Sequence, residues 1–452
     1  MLAAGGAAGS RLPSVRALMR EFGVGPATVQ HALDRLAHEG LLDAQPGRGT
    51  FVAGVKQDNA PPPADTAWQT VALGPGRAPA EALGALALVP APHALALNAG
   101  YLPEDLQATA QLATATARAL RHPGLWTRVP TEGLHALRAW FTEAAGGSCQ
   151  PHEVTICPGT QPALAASFRA LAAPGDPVLM ESPTYVGALA AARAAGLHPI
   201  PVPMDADGVR PDFLADAFRA TGARLFYCQP THANPTGAVL SPQRRAAVHD
   251  LLARFGAFLI EDDWARDFHL ETPAPAPPLA AADRDGHVIY LRSLTKCAAP
   301  GLRIGAICAR GAALGRLRAA RLIDDFFVPG LLQEIALQLL TAPTWPRHLR
   351  GLRTALRMRR DALAAALRAH LGPDCLAHVP VGGLHLWVRL PDGVSDEDVA
   401  RHAARADILV SAGRHWFPTD PPAPFLRLSF AAIRPEAADD AVRRLAAIIR
   451  AA

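Results

Sequence analysis

Short apolar runs alternate with longer helical stretches from about Leu97 onward in this 452-residue chain. The stretches between the runs are rich in alanine, leucine and arginine. The clearest runs are residues 154–157, 177–180, 225–228, 258–260 and 288–291. Strands that alternate with helices in this way are typical of a mostly parallel sheet with helices on both faces. The sequence therefore predicts an α/β fold for this part of the chain.

Composition divides the chain into three regions and predicts a multidomain protein. Residues 1–54 include a short, patterned and moderately basic segment, which predicts a small domain of its own. Residues 55–95 hold a Pro-Pro-Pro run, a Gly-Pro-Gly-Arg motif and scattered prolines, which predict a loosely structured, partly extended linker. Residues 96–452 are long enough to form a large domain with a sizeable core.

Charge and cysteine content exclude several classes of protein. The chain has 44 basic and 40 acidic residues and a net charge of +4, so nucleic-acid binding must be local to one small domain. Six cysteines without a CxxC pair argue against a disulfide scaffold and a zinc site, so no metal is expected. The same cysteine usage favours a reducing, cytoplasmic compartment.

No segment of the sequence is typical of a signal peptide or a membrane span. Residues 1–10 carry no basic charge and their apolar residues are diluted by glycine. Residues 82–103 have no charged side chain, but Pro90 and Pro92 lie near their middle, followed by His93 and Asn98. A spanning helix needs about 20 predominantly apolar residues with internally satisfied backbone groups. We therefore expect no contact with a membrane.

Lysine is rare, since only Lys56 and Lys296 occur among the 44 basic residues. Arginine serves wherever a simple positive charge is needed, so a retained lysine can mark chemistry that requires an amine able to lose its proton. Chance retention is the alternative, and it is favoured for Lys56 at the edge of the linker. The neighbours of Lys296 favour a chemical role there.

The first domain has the pattern of two helices and a β-wing. The apolar face of the first helix, after Pro13 and Ser14, consists of Val15, Leu18, Met19 and Phe22. Residues 23–25 predict a turn, and Pro26 suits the first position of a second helix. The buried stripe of that helix is Val29, Leu33 and Leu36, and Gly40 ends it. Residues 41–42 and 50–52 look like two short strands around a Pro-Gly-Arg-Gly tip.

This segment, RLPSVRALMREFGVGPATVQHALDRLAHEGLLDAQPGRGTFVA, resembles the winged helix-turn-helix domain of GntR-type bacterial regulators. The LPS-x-R-x-L start and the PG-x-GTFV end carry the resemblance. It implies that the second helix enters the major groove of DNA, with DNA-facing positions at Arg16, Thr28, Gln30 and Arg48.

Two departures from the GntR pattern concern DNA binding. The family usually carries Ser-Arg before the recognition helix, where this chain has Gly25 and Pro26, so one phosphate or base contact is lost. The family also has a further N-terminal helix, which the ten residues before Arg11 are too few to supply. The expectation is that the first helix is missing, through either truncation or real loss.

Three clusters of polar residues follow predicted strands in the large domain. SLTKCAAPGLRIG begins at Ser293, and its amine, hydroxyls and arginine could bind a phosphate and form an aldimine, although such loops are often only solvated surface. EDDW, residues 261–264, follows an apolar strand where α/β sheets bind ligands, with a helix N-cap as the alternative. THANPTG, residues 231–237, follows LFYCQ and could also be a simple turn.

The order and spacing of the motifs are more specific than any one of them. GTQPAL, ESPTY, NPTG, EDD, S-x-x-K-x-x-x-PGLR-x-G and FLRLSFA together resemble fold-type I pyridoxal-phosphate enzymes of the aminotransferase class I and II family, over about residues 97–452. Joined to the winged helix, they resemble the MocR subgroup of GntR regulators. The resemblance implies an α/β fold-type I transferase domain with a smaller C-terminal α+β domain, pyridoxal 5'-phosphate as cofactor, and a homodimer.

The resemblance also implies a role for each matching residue. Lys296 would form the internal aldimine and move the proton at Cα, and a cationic neighbourhood would have to lower its pKa. Asp262 would pair with the pyridine nitrogen and keep it protonated, with Asp263 as the alternative. Arg427 would grip the α-carboxylate of the amino ligand. The remaining cofactor contacts would come from Thr160, Gln161, Ser293 and Arg303 at the phosphate, Asn234 at the phenolic oxygen and Tyr185 on the ring face.

Four further residues differ from the pattern or invite a second interpretation. Trp264, or Ala265 beside it, replaces a tyrosine that usually bonds the phenolic oxygen. Trp126 stands where a tyrosine from the partner subunit often reaches the phosphate. His232 is interpreted as a structural loop histidine rather than a catalytic group. Cys297 is interpreted as a packing residue, because no activating base is apparent near it.

Two functions follow from this sequence. The first is a transcription regulator that senses an amino compound by forming an external aldimine with it. The alternative is an active aminotransferase that carries a vestigial DNA-binding domain, which the two departures in the winged helix favour. A purely structural protein is the least favoured reading, given the complete set of cofactor residues. The sequence identifies neither the effector nor the operator.

Overall fold

A computed structural model describes residues 9–45, 48–53, 65–74, 76, 83–84, 88–91, 93–147 and 149–452. The chain divides into two compact units, residues 1–75 and 76–452. The division falls within the segment 55–95 that composition marks as a linker. Lys56 and the Pro-Pro-Pro run lie outside the described residues.

The first unit begins with the predicted pair of helices. They are α1 (Val15–Phe22) and α2 (Pro26–His38). The hydroxyl of Ser14 caps α1 by accepting from the backbone N–H of Ala17, and Gly23 ends that helix in the left-handed region at φ 64°. Pro26 is the first residue of α2, as predicted, because proline has no N–H to leave unpaired there.

The predicted wing is present as β1 (Leu42–Gln45) and β2 (Gly49–Val52), paired antiparallel with Leu42 opposite Val52. Both strands are longer than the sequence pattern indicated. Pro46 and Gly47 at the tip lie outside the described residues, whereas Arg48 is described and exposed.

The apolar faces of the two helices are less buried than their periodicity indicates. Leu18 and Val29 are buried, Leu33 and Leu36 are half-buried, and Phe22 is 58% exposed. Phe22 lines an apolar groove between the helices and the wing, together with Val24, Leu33, Leu36 and other residues. The predicted apolar face of α1 therefore includes a largely exposed residue, Phe22, and the predicted buried stripe of α2 is fully buried only at Val29.

The linker segment is not entirely without regular structure. Residues Trp68–Leu73 form a short helix, α3, within a stretch that contains neither proline nor glycine. Proline and glycine flank this stretch rather than interrupt it, and that is why a composition averaged over 55–95 did not reveal the helix.

The second unit is built on an eight-stranded sheet in the order β3-β10-β9-β8-β7-β4-β5-β6. Neighbouring strands are parallel from β9 to β5, whereas β10 is antiparallel to both its neighbours and β6 is antiparallel to β5. The strands are β3 (Val154–Cys157), β4 (Pro177–Ser182), β5 (His198–Asp205), β6 (Gly208–Val209), β7 (Leu225–Cys228), β8 (Phe258–Asp263), β9 (Val288–Ser293) and β10 (Gly305–Cys308).

Strands β7 and β9 are continuous buried runs, as expected when helices cover both faces of a parallel sheet. Strands β3 and β7 coincide with the predicted runs, whereas β4, β8 and β9 extend two or three residues further at their carboxyl ends. Those extra residues are polar, and two of them, Asp262 and Ser293, line the pocket described below. The helices of this layer are α4 (Thr109–Ala119), α5 (His135–Ala145), α6 (Thr160–Leu171), α7 (Val186–Ala194), α8 (Pro211–Thr221), α9 (Pro242–Phe255), α10 (Leu279–Ala282), α11 (Gly311–Asp325) and α12 (Gly330–Leu340).

A smaller α+β layer follows in the sequence, as the resemblance implied. Its three-stranded antiparallel sheet has the order β11 (His385–Arg389), β13 (Phe425–Ser429) and β12 (Ser411–Ala412). Its helices are α13 (Trp345–Leu371), α14 (Asp396–Arg405) and α15 (Ala438–Ala451). Helix α13 packs along α15, and segment 95–97 is hydrogen-bonded to residues 407–409 and 429.

Cysteine pairing differs from the expectation in one respect. Cys149, after α5, and Cys308, at the end of β10, form a disulfide across 159 positions of sequence, which no local spacing could reveal. The other four cysteines are buried thiols. Across the described parts of the chain, no helix is long and apolar enough to cross a membrane. In the same parts, no group of three or more His, Cys, Asp or Glu residues is placed to hold a metal ion.

Candidate functional site

One pocket at the carboxyl ends of the parallel strands brings together the residues for which the sequence predicted a cofactor or ligand role. Open α/β sheets bind ligands at this edge. The structure places these residues in its lining: Thr160, Gln161, Tyr185, Asn234, Asp262, Ser293, Lys296, Arg303 and Arg427.

Asp262 lies on β8, so the alternative of a helix N-cap for EDDW is wrong. Successive side chains on a strand point to opposite faces, which separates Asp262 from its two acidic neighbours. Glu261 accepts from the backbone N–H groups of residues 279 and 280, and Asp263 pairs with Arg266 and with the hydroxyl of Tyr290. Asp262 alone of the three lines the pocket.

The two oxygens of Asp262 have different surroundings. Oδ2 accepts from the hydroxyl of Tyr227 and from Nε2 of Gln229, each over 2.8 Å. Oδ1 is buried and has no hydrogen-bond partner in the described structure. Burial raises the pKa of Asp262 to about 6, against the two donated hydrogen bonds and Lys296, which lower it. The carboxylate thus presents an acceptor oxygen suited to a protonated nitrogen.

Lys296 follows β9, and its amine contacts two residues of the segment that follows the linker. Nζ donates to the carbonyl oxygen of Gly100 over 2.7 Å and lies 3.7 Å from the ring centroid of Tyr101. Burial, with the positive charge of Arg427, lowers the pKa of Lys296 from 10.5 to about 7. A substantial fraction of the amine is therefore unprotonated, and nucleophilic, near neutral pH.

The beginning of α6 forms an anion-binding end of the pocket. Gly159 precedes the helix with φ 92°, and no side chain caps the first N–H groups. A Cβ at Gly159 would lie 2.8 Å from Nη2 of Arg303, so the absence of a side chain lets the guanidinium approach. Thr160, Ser293 and Arg303 line this end together, an arrangement suited to phosphate.

Asn234 and Tyr185 also line the pocket. The backbone N–H of Asn234 donates to Oε1 of Gln229 over 2.8 Å, which fixes the NPTG turn to the residue that also bonds Asp262. Tyr185 precedes α7, and Gln161 bonds the backbone of that helix by donating to the carbonyl of Gly187 over 2.8 Å. Both side chains can therefore contact a flat ring from fixed positions.

Arg427 lies on β13, is 1% exposed and lines the pocket from the smaller layer. Its guanidinium lies 4.4 Å from the ring centroid of Trp416 and donates to the carbonyl of Asn98. Nε has no partner in the described structure, and burial lowers the pKa of Arg427 to about 9. A buried guanidinium with unused donors is suited to bind a carboxylate.

Three consecutive carbonyl groups accept from pocket side chains. Asn98 accepts from Arg427 and Gly100 accepts from Lys296. Burial and the charges of Arg427 and Lys296 lower the pKa of His385 well below its usual value, and a backbone hydrogen bond with Ala99 acts in the opposite direction, as donation to the Ala99 carbonyl would. Segment 98–100 is thereby bound to three side chains. Lys296 comes from the loop after β9, and Arg427 and His385 come from the paired strands β13 and β11.

Five further pocket residues carried no predicted binding role: Gly100, Tyr101, Gln229, Trp264 and His385. Thr295, which also lines the pocket, is one of the hydroxyls of the motif that begins at Ser293. Gln229 stands two residues before the THANPTG motif, so proximity to that motif was the available signal. His385 begins β11 and is buried, but it belonged to no motif that the sequence identified. Gly100 and Tyr101 follow the linker and had no motif of their own.

The other interpreted residues take the following places. Trp264 lines the pocket and its Nε1 donates to the carbonyl of His232 over 3.2 Å, whereas Ala265 is buried elsewhere. His232 lies outside the pocket lining, and its Nε2 is 3.1 Å from Nδ1 of His269. Burial lowers the pKa of His232 to about 3. Cys297 is buried, which raises the pKa of its thiol. Trp126 is 80% exposed on its own chain.

The four residues predicted to face DNA all belong to the first unit and are exposed: Arg16, Thr28, Gln30 and Arg48. Gln30 is hydrogen-bonded along α2 to Asp34, with 2.9 Å between Nε2 and Oδ1. Gly25, which replaces the usual serine, caps α2 without any side-chain hydrogen bond. These four residues therefore belong to the first compact unit of the chain, whereas the pocket residues belong to the second.

Two family models match the chain. "Aminotransferase class I and II" matches residues 92–445, and "Bacterial regulatory proteins, gntR family" matches residues 5–52. Among solved structures, the α-aminoadipate aminotransferase LysN of Thermus thermophilus, in complex with N-(5'-phosphopyridoxyl)-L-leucine, has a TM-score of 0.75 and 30% identity. That similarity covers 82% of this chain and 94% of LysN.

Curated relatives include both regulators and enzymes. The probable rhizopine catabolism regulatory protein MocR of Rhizobium meliloti is 27% identical over 452 residues, which cover 97% of this chain and 89% of that protein. A 2-aminoadipate transaminase of Thermus thermophilus is 31% identical over 365 residues, covering 80% of this chain and 91% of that enzyme. The chain therefore belongs to the aminotransferase class I and II family and, with a GntR-type helix-turn-helix domain in front of its aminotransferase domain, is a regulator of the MocR type.

Proposed function

We propose that this protein is a pyridoxal-phosphate-dependent transcription regulator, which binds an amino compound in the pocket and DNA through residues 11–54. One observation carries the proposal. Nine side chains expected at a cofactor and its ligand meet in one pocket, while four side chains expected at DNA are exposed on a separate unit of the same chain.

The residues present fit pyridoxal phosphate on three independent grounds. Asp262 presents a buried oxygen without a partner, which a protonated ring nitrogen would satisfy. The first turn of α6 offers uncapped N–H groups beside Arg303, which a phosphate would satisfy. The amine of Lys296 has a pKa of about 7 and so can react with an aldehyde near neutral pH.

In this proposal each residue acts at a stated atom. When bound, the cofactor supplies an electron sink for the bonds at Cα of an amino compound. Asp262 holds the ring nitrogen, and Asn234 donates to the phenolic oxygen while Tyr185 packs on the ring. Thr160, Gln161, Ser293 and Arg303 hold the phosphate. Lys296 is the attachment point and moves the Cα proton, and Arg427 binds the carboxylate of the ligand.

DNA binding is proposed for Arg16, Thr28, Gln30 and Arg48, with α2 in the major groove. A bacterial regulator that binds chromosomal DNA works in the cytoplasm, which is the location we propose. We further propose a homodimer, because the resembling enzymes complete this pocket across two subunits and Trp126 is well exposed. Two DNA-binding units would then act on one operator.

A mobility-shift experiment on the DNA upstream of the protein's own reading frame tests this function. Holoprotein should retard that DNA, and an amino ligand that reacts at the cofactor should change the apparent affinity. The same preparation is assayed for conversion of bound pyridoxal phosphate to the pyridoxamine form. Retardation that never responds to any amino compound would refute ligand sensing.

The second candidate is an active aminotransferase. Two observations favour it: the complete pocket with a lysine of lowered pKa, and the glycine cap of α2 in place of the residue pair usual in DNA-binding relatives. Steady turnover of amino and 2-oxo acids, without DNA binding at low salt, would favour this candidate over the regulator.

A further inference from the structure

His385 is the pocket residue whose chemistry the proposed cofactor contacts do not use. It is the first residue of β11, is 3% exposed, and lines the pocket beside Trp264, with 5.7 Å between the ring centroids. Its Nε2 is buried and has no hydrogen-bond partner in the described structure. A buried polar atom without a partner costs free energy, so a ligand that supplies the partner gains affinity.

The tautomer of His385 makes Nε2 an acceptor. The hydrogen bond with the backbone of Ala99 acts to raise the pKa of His385, which identifies the histidine as the donor. Burial and the nearby charges of Arg427 and Lys296 lower that pKa well below 6.5, so the ring is neutral under ordinary conditions. A neutral imidazole that donates through Nδ1 carries its lone pair on Nε2.

Several other polar atoms of the lining already have hydrogen-bond partners. Nε2 and Oε1 of Gln229 bond Asp262 and Asn234, and Nε1 of Trp264 bonds the carbonyl of His232. The hydroxyl of Thr295 has no partner, but it stands between Ser293 and Lys296 in the phosphate-binding loop. Nε2 of His385 is therefore a buried polar atom of the lining that remains available to a ligand.

The position of His385 relative to Arg427 favours contact with the side chain of an amino acid. His385 pairs with Ser429 across the small sheet, and Arg427 is two residues before Ser429 on the same face of β13. Diagonal cross-strand neighbours lie about 7–8 Å apart. A ligand whose carboxylate is bound by Arg427 thus brings its remaining atoms within reach of Nε2.

We propose that His385 is a specificity-determining residue, which accepts a hydrogen bond from a donor group, such as a hydroxyl or an amide, on the side chain of an α-amino acid ligand. A side-chain carboxylate has no proton to donate to Nε2. This inference rests on the proposed function, because it assigns the ligand class of the same pocket.

The test uses pairs of amino acids with nearly equal shape and different donors. Full-length holoprotein is titrated with threonine and valine, glutamine and methionine, and tyrosine and phenylalanine, and the visible absorption of the bound cofactor is followed. We expect the donor to be preferred at least about 10-fold in one pair, the cost of leaving a buried acceptor unpaired. Equal affinities within all three pairs, or no response to any of the six, would overturn the assignment.

Variants separate the acceptor from the shape of the ring. His385→Phe should reduce the preference to less than about threefold, whereas His385→Gln, which keeps an acceptor oxygen, should retain part of it. His249→Phe, a half-buried histidine on α9 outside this pocket, is the matched control and should leave the preference unchanged. A preference that survives His385→Phe disproves the role. Failure of the wild-type protein to bind the cofactor at all would instead refute the proposed function.

Discussion

The hydroxyl of Tyr227 donates to Oδ2 of Asp262 over 2.8 Å, and this oxygen also accepts from Gln229. Both donors hold the carboxylate by one oxygen, so its orientation is fixed while Oδ1 is left for another partner. The contact explains how a buried aspartate keeps a defined position before any ligand contributes to it.

Asp262→Asn should leave attachment of the cofactor to Lys296 in place but slow loss of the Cα proton, because an amide does not keep the ring nitrogen protonated. The measurement is exchange of the Cα hydrogen of an amino acid in heavy water, followed by NMR. Asp263→Asn is the control. It breaks a buried ion pair with Arg266, so it should lower the free energy of unfolding by about 3 kcal/mol without a comparable effect on exchange. The opposite pattern would mean that Asp263 holds the ring.

Lys296→Ala should abolish covalent attachment of pyridoxal phosphate. Borohydride reduction followed by peptide mapping locates the label at Lys296 in the wild-type protein, and the variant should carry none. The two lysines of the chain make this experiment selective, since Lys56→Ala is a natural control that removes the other amine. Undiminished labelling of Lys296→Ala would contradict the assignment.

Attachment should depend on pH with a midpoint near 7. The pKa of Lys296 is lowered, so the reactive neutral amine is scarce below about pH 7 and predominant above it. The rate of attachment to apoprotein should therefore rise through pH 7 and level off, as followed by visible absorption. An ordinary lysine would give a rate that continues to rise towards its pKa of about 10.4.

DNA affinity should fall steeply with salt, because bound phosphates release counterions from DNA. Arg16→Ala and Arg48→Ala should each weaken binding and reduce the slope of log affinity against log salt by about 1. Arg389→Ala, an exposed arginine of the second unit, is the charge-matched control and should change neither. The measurement is fluorescence anisotropy across a salt series. Unchanged slopes for both variants would exclude these arginines from the DNA interface.

Arg427→Ala should remove the response to an amino acid ligand while sparing the cofactor. Loss of two charge-assisted hydrogen bonds to a carboxylate should weaken ligand binding by at least about 100-fold. Titration of the cofactor's visible absorption with amino acids measures this loss, and borohydride labelling of Lys296 verifies that the cofactor is still attached. An unaltered ligand response would show that the carboxylate is bound elsewhere.

Motifs at strand ends were the signal by which the sequence indicated residues that line the pocket. Asp262, Ser293 and Lys296 follow apolar runs, and the parallel sheet brings such ends to one edge. The choice between Asp262 and Asp263 needed the structure, because strand register decides which side chain faces the pocket. His385 and Tyr101 also needed it, since they arrive from segments remote in sequence.

Tertiary packing accounts for the other differences. Phe22 matches the helical period of α1, but periodicity cannot tell whether anything covers that face, and Phe22 is largely exposed. The disulfide joins residues that are neighbours only after β3 and β10 pair beside α5. The helix Trp68–Leu73 was hidden by the prolines and glycines that flank it.

The hydrogen bonds of segment 98–100 offer a structural basis for coupling between ligand binding and DNA binding. Lys296 donates to the carbonyl of Gly100 through Nζ, the same atom that would attach the cofactor and be released by an amino ligand, so occupancy of the pocket competes with this backbone hydrogen bond. The segment comes directly after the linker in sequence, on the polypeptide path to the DNA-binding unit. If occupancy changes affinity for DNA by a given factor, then DNA must change affinity for the ligand by the same factor. An operator fragment is therefore itself an effector of the amino acid site, and its influence should be measurable in the pocket.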